Sequence, residues 1–127
     1  MTSAPVPAEL TDADIAAQVD AFYDRVRSDQ LLGPVFDARI APDAWPAHLA
    51  RMRDFWSTIL LGRGRYRGNP LLVHRAIAAI TREHHGRWLD LFEQVARELF
   101  AAPLAATWID RAQRMSRTLQ ADLPADA

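Results

Sequence analysis

The sequence predicts an all-α domain, and three observations predict it. Apolar residues recur with a period near 3.6 along almost the whole chain. No segment sustains the alternation of polar and apolar residues that a half-buried strand requires. The breaks between periodic stretches carry helix punctuation: Thr11 stands ahead of acidic residues, and Pro42 and Pro103 stand where new periodic segments open.

Taken in order, residues 1–10 and 122–127 are proline-bearing ends that read as disordered tails around a domain spanning residues 11–121. Thr11 caps the first helix, with Asp12 and Asp14 in its first turn, and Ile15, Val19, Phe22, Tyr23 and Val26 form its apolar stripe. Leu32-Gly33-Pro34 is expected to stop that helix and start a turn into Val35 and Phe36. A second helix opens near Pro42-Asp43 and places Trp45, His48, Leu49, Met52, Phe55, Trp56 and Ile59 on one face. Residues 62–70, with three glycines and a proline, form a loop. A short helix bearing Leu71, His74, Ile77 and Ala78 follows. Residues 81–86 are a break or a helix start, and Trp88, Leu89, Phe92, Val95, Ala96 and Leu99 mark a strong helix beyond them. Pro103 opens the last one, with Leu104, Trp108, Ile109, Ala112, Met115 and Leu119 inward. Four longer helices and one short one suit either a bundle or a globin-like sandwich.

Composition narrows the function. The chain has 127 residues, 50% hydrophobic and 24% charged, enough for one domain with a single buried core. A formal charge of −1 offers neither nucleic acid nor a membrane surface an electrostatic attraction. The absence of cysteine excludes disulfides, thiolate metal sites, cysteine nucleophiles and covalent haem attachment. No export signal or 18-residue apolar run is evident, so the expected location is the cytoplasm.

Four histidines remain as the chemistry-bearing groups. His48 and His74 both fall on apolar faces, where an imidazole is either a satisfied core group or a ligand. His84 and His85 are adjacent, so their side chains diverge by about 100° on a helix and cannot form a paired zinc site. His84 reads as solvated, and His85 shares a face with Trp88. Tyr23, His48 and Trp88 each bring one polar atom from a different helix toward the core, the pattern of a ligand cavity, although by periodicity alone they also read as ordinary core.

Phe22-Tyr23-Asp24-Arg25-Val26-Arg27, Leu32-Gly33-Pro34-Val35-Phe36 and Trp45-x-x-His48 follow one another in order. Phe55-Trp56, Leu60-Leu61-Gly62, Tyr66-x-Gly68-x-Pro70, Leu71-x-x-His74 and Arg87-Trp88-Leu89-x-Leu91-Phe92 come after them. This ordered set resembles the group III truncated haemoglobins over residues 12–120. The resemblance implies a truncated globin fold, a two-over-two helical sandwich, enclosing haem b. It makes His74 the proximal iron ligand and places Tyr23, His48 and Trp88 on the distal side. Met52 would line that pocket and Phe36 would pack against the haem edge. Arg51, Arg65 and Tyr66 are candidates for propionate contacts. One departure is His85, where the family is expected to carry phenylalanine; it is expected to meet the haem edge or solvent.

A single proximal imidazole leaves an iron position open for O2, CO or NO, and the distal donors decide between holding a ligand and activating it. Hydrogen bonds from Tyr23 and Trp88 to bound dioxygen would contribute roughly 1 kcal/mol each, and about twice that where charge assists. The implied function is oxygen binding or transport by a monomer. The alternative is nitric oxide dioxygenation or peroxidase-like chemistry with a separate reductase. A haem-free helical interaction module stands as the contrasting reading.

Overall fold

The structure is a computed structural model that describes residues 10–62 and 80–121. Among the described residues there are five α-helices and no strand: α1 Asp12–Ser28, α2 Leu32–Arg39, α3 Trp45–Leu61, α4 Arg82–Leu99 and α5 Ala102–Gln120. A 3-10 turn, Pro42–Ala44, leads into α3. Helix α1 packs against α2, α3 and α4, and α4 packs against α5. The long helices therefore form two facing pairs, α1 with α3 and α4 with α5, the two-over-two sandwich that the sequence implied. The predicted glycine-rich loop beyond Gly62 and the short helix around His74 lie outside the described residues, as do residues 1–9 and 122–127.

Helix α1 begins as its sequence dictates. Thr11 Oγ1 accepts the Asp14 N–H at 3.1 Å while Asp14 Oδ2 accepts the Thr11 N–H at 3.0 Å, a reciprocal capping box. Leu10 had been assigned to the tail, yet it is only 5% exposed. It occupies the position before the cap, with Ile15 at the fourth helical position, and both are buried in one core cluster, the arrangement of a hydrophobic staple. The predicted stripe of Ile15, Val19, Phe22, Tyr23 and Val26 is buried throughout.

Leu32-Gly33-Pro34 is a helix start rather than a turn. Asp29 Oδ2 accepts the N–H groups of Leu31 and Leu32 at 3.0 and 2.9 Å, so the first donors of α2 are satisfied from outside it. Pro34 lies in the first turn, where its missing N–H costs nothing. Gly33 is fixed by close approach: a Cβ there would meet the Arg27 carbonyl oxygen at 2.9 Å. At the far end of α3, Gly62 adopts φ +66°, the left-handed conformation that ends helices and that glycine accepts without strain. Pro103 falls in the first turn of α5 as expected.

Helix α4 is capped by a different reciprocal pair. Thr81 Oγ1 accepts the His84 N–H at 3.4 Å, and His84 Nδ1 accepts the Thr81 N–H at 3.2 Å. His84, read as solvated, is thus half-buried and holds the helix start. Two stripe residues also depart from expectation. Ile59 and Leu99 are 37% and 44% exposed, because each lies in the last turn of its helix, at the edge of the core.

Candidate functional site

Three helices deliver aromatic rings to one end of the sandwich. Tyr23 on α1 touches Phe36 on α2 at a centroid distance of 5.9 Å and His48 on α3 at 5.1 Å, edge to face in both cases. Trp45, at the first position of α3, stacks with Phe36 at 6.3 Å and meets Tyr23 at 5.8 Å and His48 at 5.3 Å. Such pairs bury large apolar area in edge or offset geometries that leave the heteroatoms at the ring margins. Met52, one turn beyond His48, is partly buried against the same core. Trp88 on α4 enters through Phe22, whose ring it meets at 5.2 Å, and stacks on Phe92 at 5.1 Å with 12° between planes.

Burial sets the protonation of the two polar rings. It pushes the Tyr23 hydroxyl well above the ordinary phenol range, so that group stays a neutral donor. For His48 burial, joined by the positive charge of Arg51, lowers the pKa to about 4. The imidazole is therefore neutral near pH 7 and can present a lone pair or an N–H. Its Nε2 is buried and has no hydrogen-bond partner among the described residues. Such an atom costs about 1–3 kcal/mol when left unmatched, and Trp45 Nε1 in the same cluster and Trp108 Nε1 deeper in the core share that condition among the described residues.

Of the residues singled out in the sequence, the fold brings Phe36 and His48 each into contact with Tyr23 and seats Met52 and Trp88 on the adjoining core. His74, Tyr66 and Arg65 lie outside the described residues. Arg51 is exposed. His85 is 6% exposed, which removes solvent as its environment.

The sequence reading missed three contributors. Trp45 had been placed on a core face but is the hub of the ring cluster, and Arg27 covers it with a cation–π contact at 4.6 Å. Gln18 is fully buried and its Nε2 donates to the Phe92 carbonyl at 3.1 Å, tying α1 to α4. A glutamine three residues after Ile15 and four before Phe22 is the visible signal for it. Asp29 is the third, with an aspartate three residues ahead of Leu32 as its signal. Burial alone would raise the Asp29 pKa. The N–H groups of Leu32 and Leu31 and the Arg87 side chain outweigh it and hold the carboxyl below its usual range.

Among the described residues no three histidine or carboxylate side chains gather into a metal cage, and no helix is long and apolar enough to cross a membrane. The arrangement is a cluster of aromatic rings carrying a neutral phenol and a neutral imidazole, with an indole on the adjoining core. This donor set suits a small neutral ligand beside a flat apolar group.

Comparison with known proteins points the same way. The model of the bacterial-like globin family matches residues 11–121. A group 3 truncated haemoglobin of Campylobacter jejuni is 32% identical over 113 residues, covering 87% of this chain and 89% of that one. The crystal structure of the group III truncated haemoglobin from Campylobacter jejuni superposes with a TM-score of 0.87 at 31% identity, covering 93% of this chain and 94% of that one. With fold and sequence in agreement, the chain belongs to the bacterial-like globins and, within them, to the group III truncated haemoglobins.

Proposed function

We propose that the protein binds haem b through His74 and uses the opposite face to hold O2 or another small diatomic ligand such as CO or NO. When bound, haem supplies an iron with one open coordination position. His74 would hold the haem iron on the strength of its place in the Leu71-x-x-His74 motif, and Tyr66 would contact the haem on the same ground. Phe36 and Met52 supply apolar walls that exclude water from the ligand. Tyr23 donates its hydroxyl proton, and burial keeps that proton in place at any physiological pH. Trp88 offers a second donor in its indole N–H. His48 adds a third polar atom that remains uncharged until the solution is strongly acidic.

The observation that carries this reading is the buried Nε2 of His48, without a partner among the described residues and in the same ring cluster as Tyr23. The deciding experiment is an absorption spectrum of the haem-reconstituted protein and of His74→Ala. A haem band that binds CO on reduction, with imidazole character lost in the variant, supports the reading. No haem uptake by the wild type, or an unchanged variant, overturns it. Donors that retain a diatomic ligand also polarise it, so rapid mixing of the oxygenated form with nitric oxide separates holding from turnover. Quantitative conversion to the ferric form marks a dioxygenase, and its absence marks a carrier or sensor.

A further inference from the structure

The carboxylate of Asp29 joins three elements of the site. Its Oδ2 accepts the N–H groups of Leu31 and Leu32 at the start of α2, the helix that carries Phe36. Its Oδ1 accepts from Arg87 Nε at 2.7 Å, and Arg87 immediately precedes Trp88 on α4. Asp29 itself stands at the end of α1, the helix that carries Tyr23. The side chain is only 5% exposed although Arg87 is 44% exposed, so the carboxylate is withdrawn from water and held by three donors. Charge-assisted hydrogen bonds to a withdrawn carboxylate are short and directional, which makes them suited to fixing position rather than adding bulk stability.

An indole N–H meets a small ligand productively only within a few tenths of an ångström and about 10–20°. Ring stacking on Phe92 and the edge contact with Phe22 constrain the plane of Trp88 but allow sliding within it. The tether one residue back removes that freedom. We propose that Asp29 and Arg87 are positioning residues that set the height and angle of the Trp88 indole above the ligand position. The proposal rests on the haem reading given above, and it adds a polar couple 58 residues apart in sequence to the machinery of the pocket.

The same two helices share a second ion pair, Arg25 with Glu98, whose side chains are 37% and 57% exposed. It lies in the open and provides the natural control, since it links α1 to α4 without adjoining Trp88. The test uses the haem-loaded, reduced protein, as its CO complex for the band and the indole peak and as its O2 complex for the dissociation rate, in the wild type, Arg87→Ala, Asp29→Asn, Glu98→Gln, Trp88→Phe and the Arg87→Ala/Trp88→Phe double variant. Three quantities are read: the C–O stretching band, the rate of O2 dissociation, and the Trp88 indole cross-peak in the proton–nitrogen spectrum. Arg87→Ala leaves the Asp29 caps in place, so the fold is kept even if Asp29→Asn weakens it.

The expected result is a displaced stretching band, a displaced Trp88 indole peak and O2 release several-fold faster in Arg87→Ala and Asp29→Asn, with Glu98→Gln like the wild type. The double variant then equals Trp88→Phe alone, because the tether acts only through the indole. A band and indole peak at the wild-type positions in Arg87→Ala, or additive effects in the double variant, overturn the assignment. Failure of the wild type to take up haem is a separate outcome, which removes the functional reading and this inference with it.

Discussion

Two aromatic clusters meet at the Phe22 ring, which touches Tyr23 in one and Phe92 in the other, and they are built on different rules. In the inner cluster Trp56, Phe92 and Trp108 are almost fully buried, with Trp56 stacked on Phe92 at 4.9 Å and Phe100 stacked on Trp108 at 6.0 Å. In the outer cluster Tyr23, Phe36, Trp45 and His48 meet mostly edge to face, and the polar atoms of Tyr23 and His48 sit among them. The inner cluster also contains a polar atom without a partner, Trp108 Nε1. Magnitudes separate the two cases. Burying an indole removes on the order of 200 Å² from water, worth about 5 kcal/mol at 25 cal/mol per Å², against about 1–3 kcal/mol for one unmatched N–H. Trp108 is kept for its area. His48 is a smaller ring in a half-buried position, so area offsets its unmatched atom less well, and a ligand-facing role explains it better.

The sharpest way to break this contrast is truncation in each cluster. Trp108→Ala is expected to cost about 3–5 kcal/mol of stability, the usual range for emptying a fully buried aromatic site, read as a large fall in urea midpoint. Tyr23→Phe, which removes only a hydroxyl, is expected to change the midpoint by less than about 1 kcal/mol while speeding ligand release about tenfold, the equivalent of about 1.4 kcal/mol. If Tyr23→Phe instead mimicked the stability loss of the core variant and left release unchanged, the outer cluster would be core of the same kind.

How much of this was legible in the sequence follows from which forces are local. The α1 stripe was readable because a 3.6-residue period on a 17-residue helix repeats often enough to stand out, and Thr11 and Asp14 announce its start. Helix α2 was not, because eight residues give barely two turns and its first donors are satisfied by Asp29 rather than by a cap of its own. Tyr23 and His48 were visible as polar groups on apolar stripes. Trp45 as hub and the Asp29–Arg87 pair depend on partners from distant segments, which periodicity cannot supply. Ile59 and Leu99 fit their stripes perfectly well in one dimension, and only the finite extent of the core leaves them exposed.

A pH series sharpens the comparison further. The folded pKa of His48, about 4, lies below the ordinary value of 6.5, so the unfolded chain takes up a proton before the folded one does. The stability tied to neutral His48 is complete above pH 6.5 and declines as pH falls toward 4. With allowance for solvent screening of a half-buried ring, the loss at pH 5.5 is about 1 kcal/mol. Urea midpoints of the wild type and His48→Gln, measured at pH 7 and 5.5, should converge on acidification. Parallel curves would show that the imidazole is already charged or well solvated in the fold.

The smallest effect is expected at the exposed α1–α4 ion pair. Arg25 and Glu98 are both bathed in solvent, so the attraction between them competes with water, with dissolved ions and with the entropy of two long side chains. Glu98→Gln should leave the urea midpoint within experimental scatter at 0.15 M salt, roughly physiological ionic strength. Arg87→Ala, made in the same helix, strips a donor from a carboxylate that water reaches poorly, and its midpoint should fall on the order of 1 kcal/mol. Each variant removes one partner of an arginine–carboxylate pair between the same two helices, so a difference between them points to burial of the acidic partner. Equal responses would mean that Asp29 regains water when Arg87 is removed.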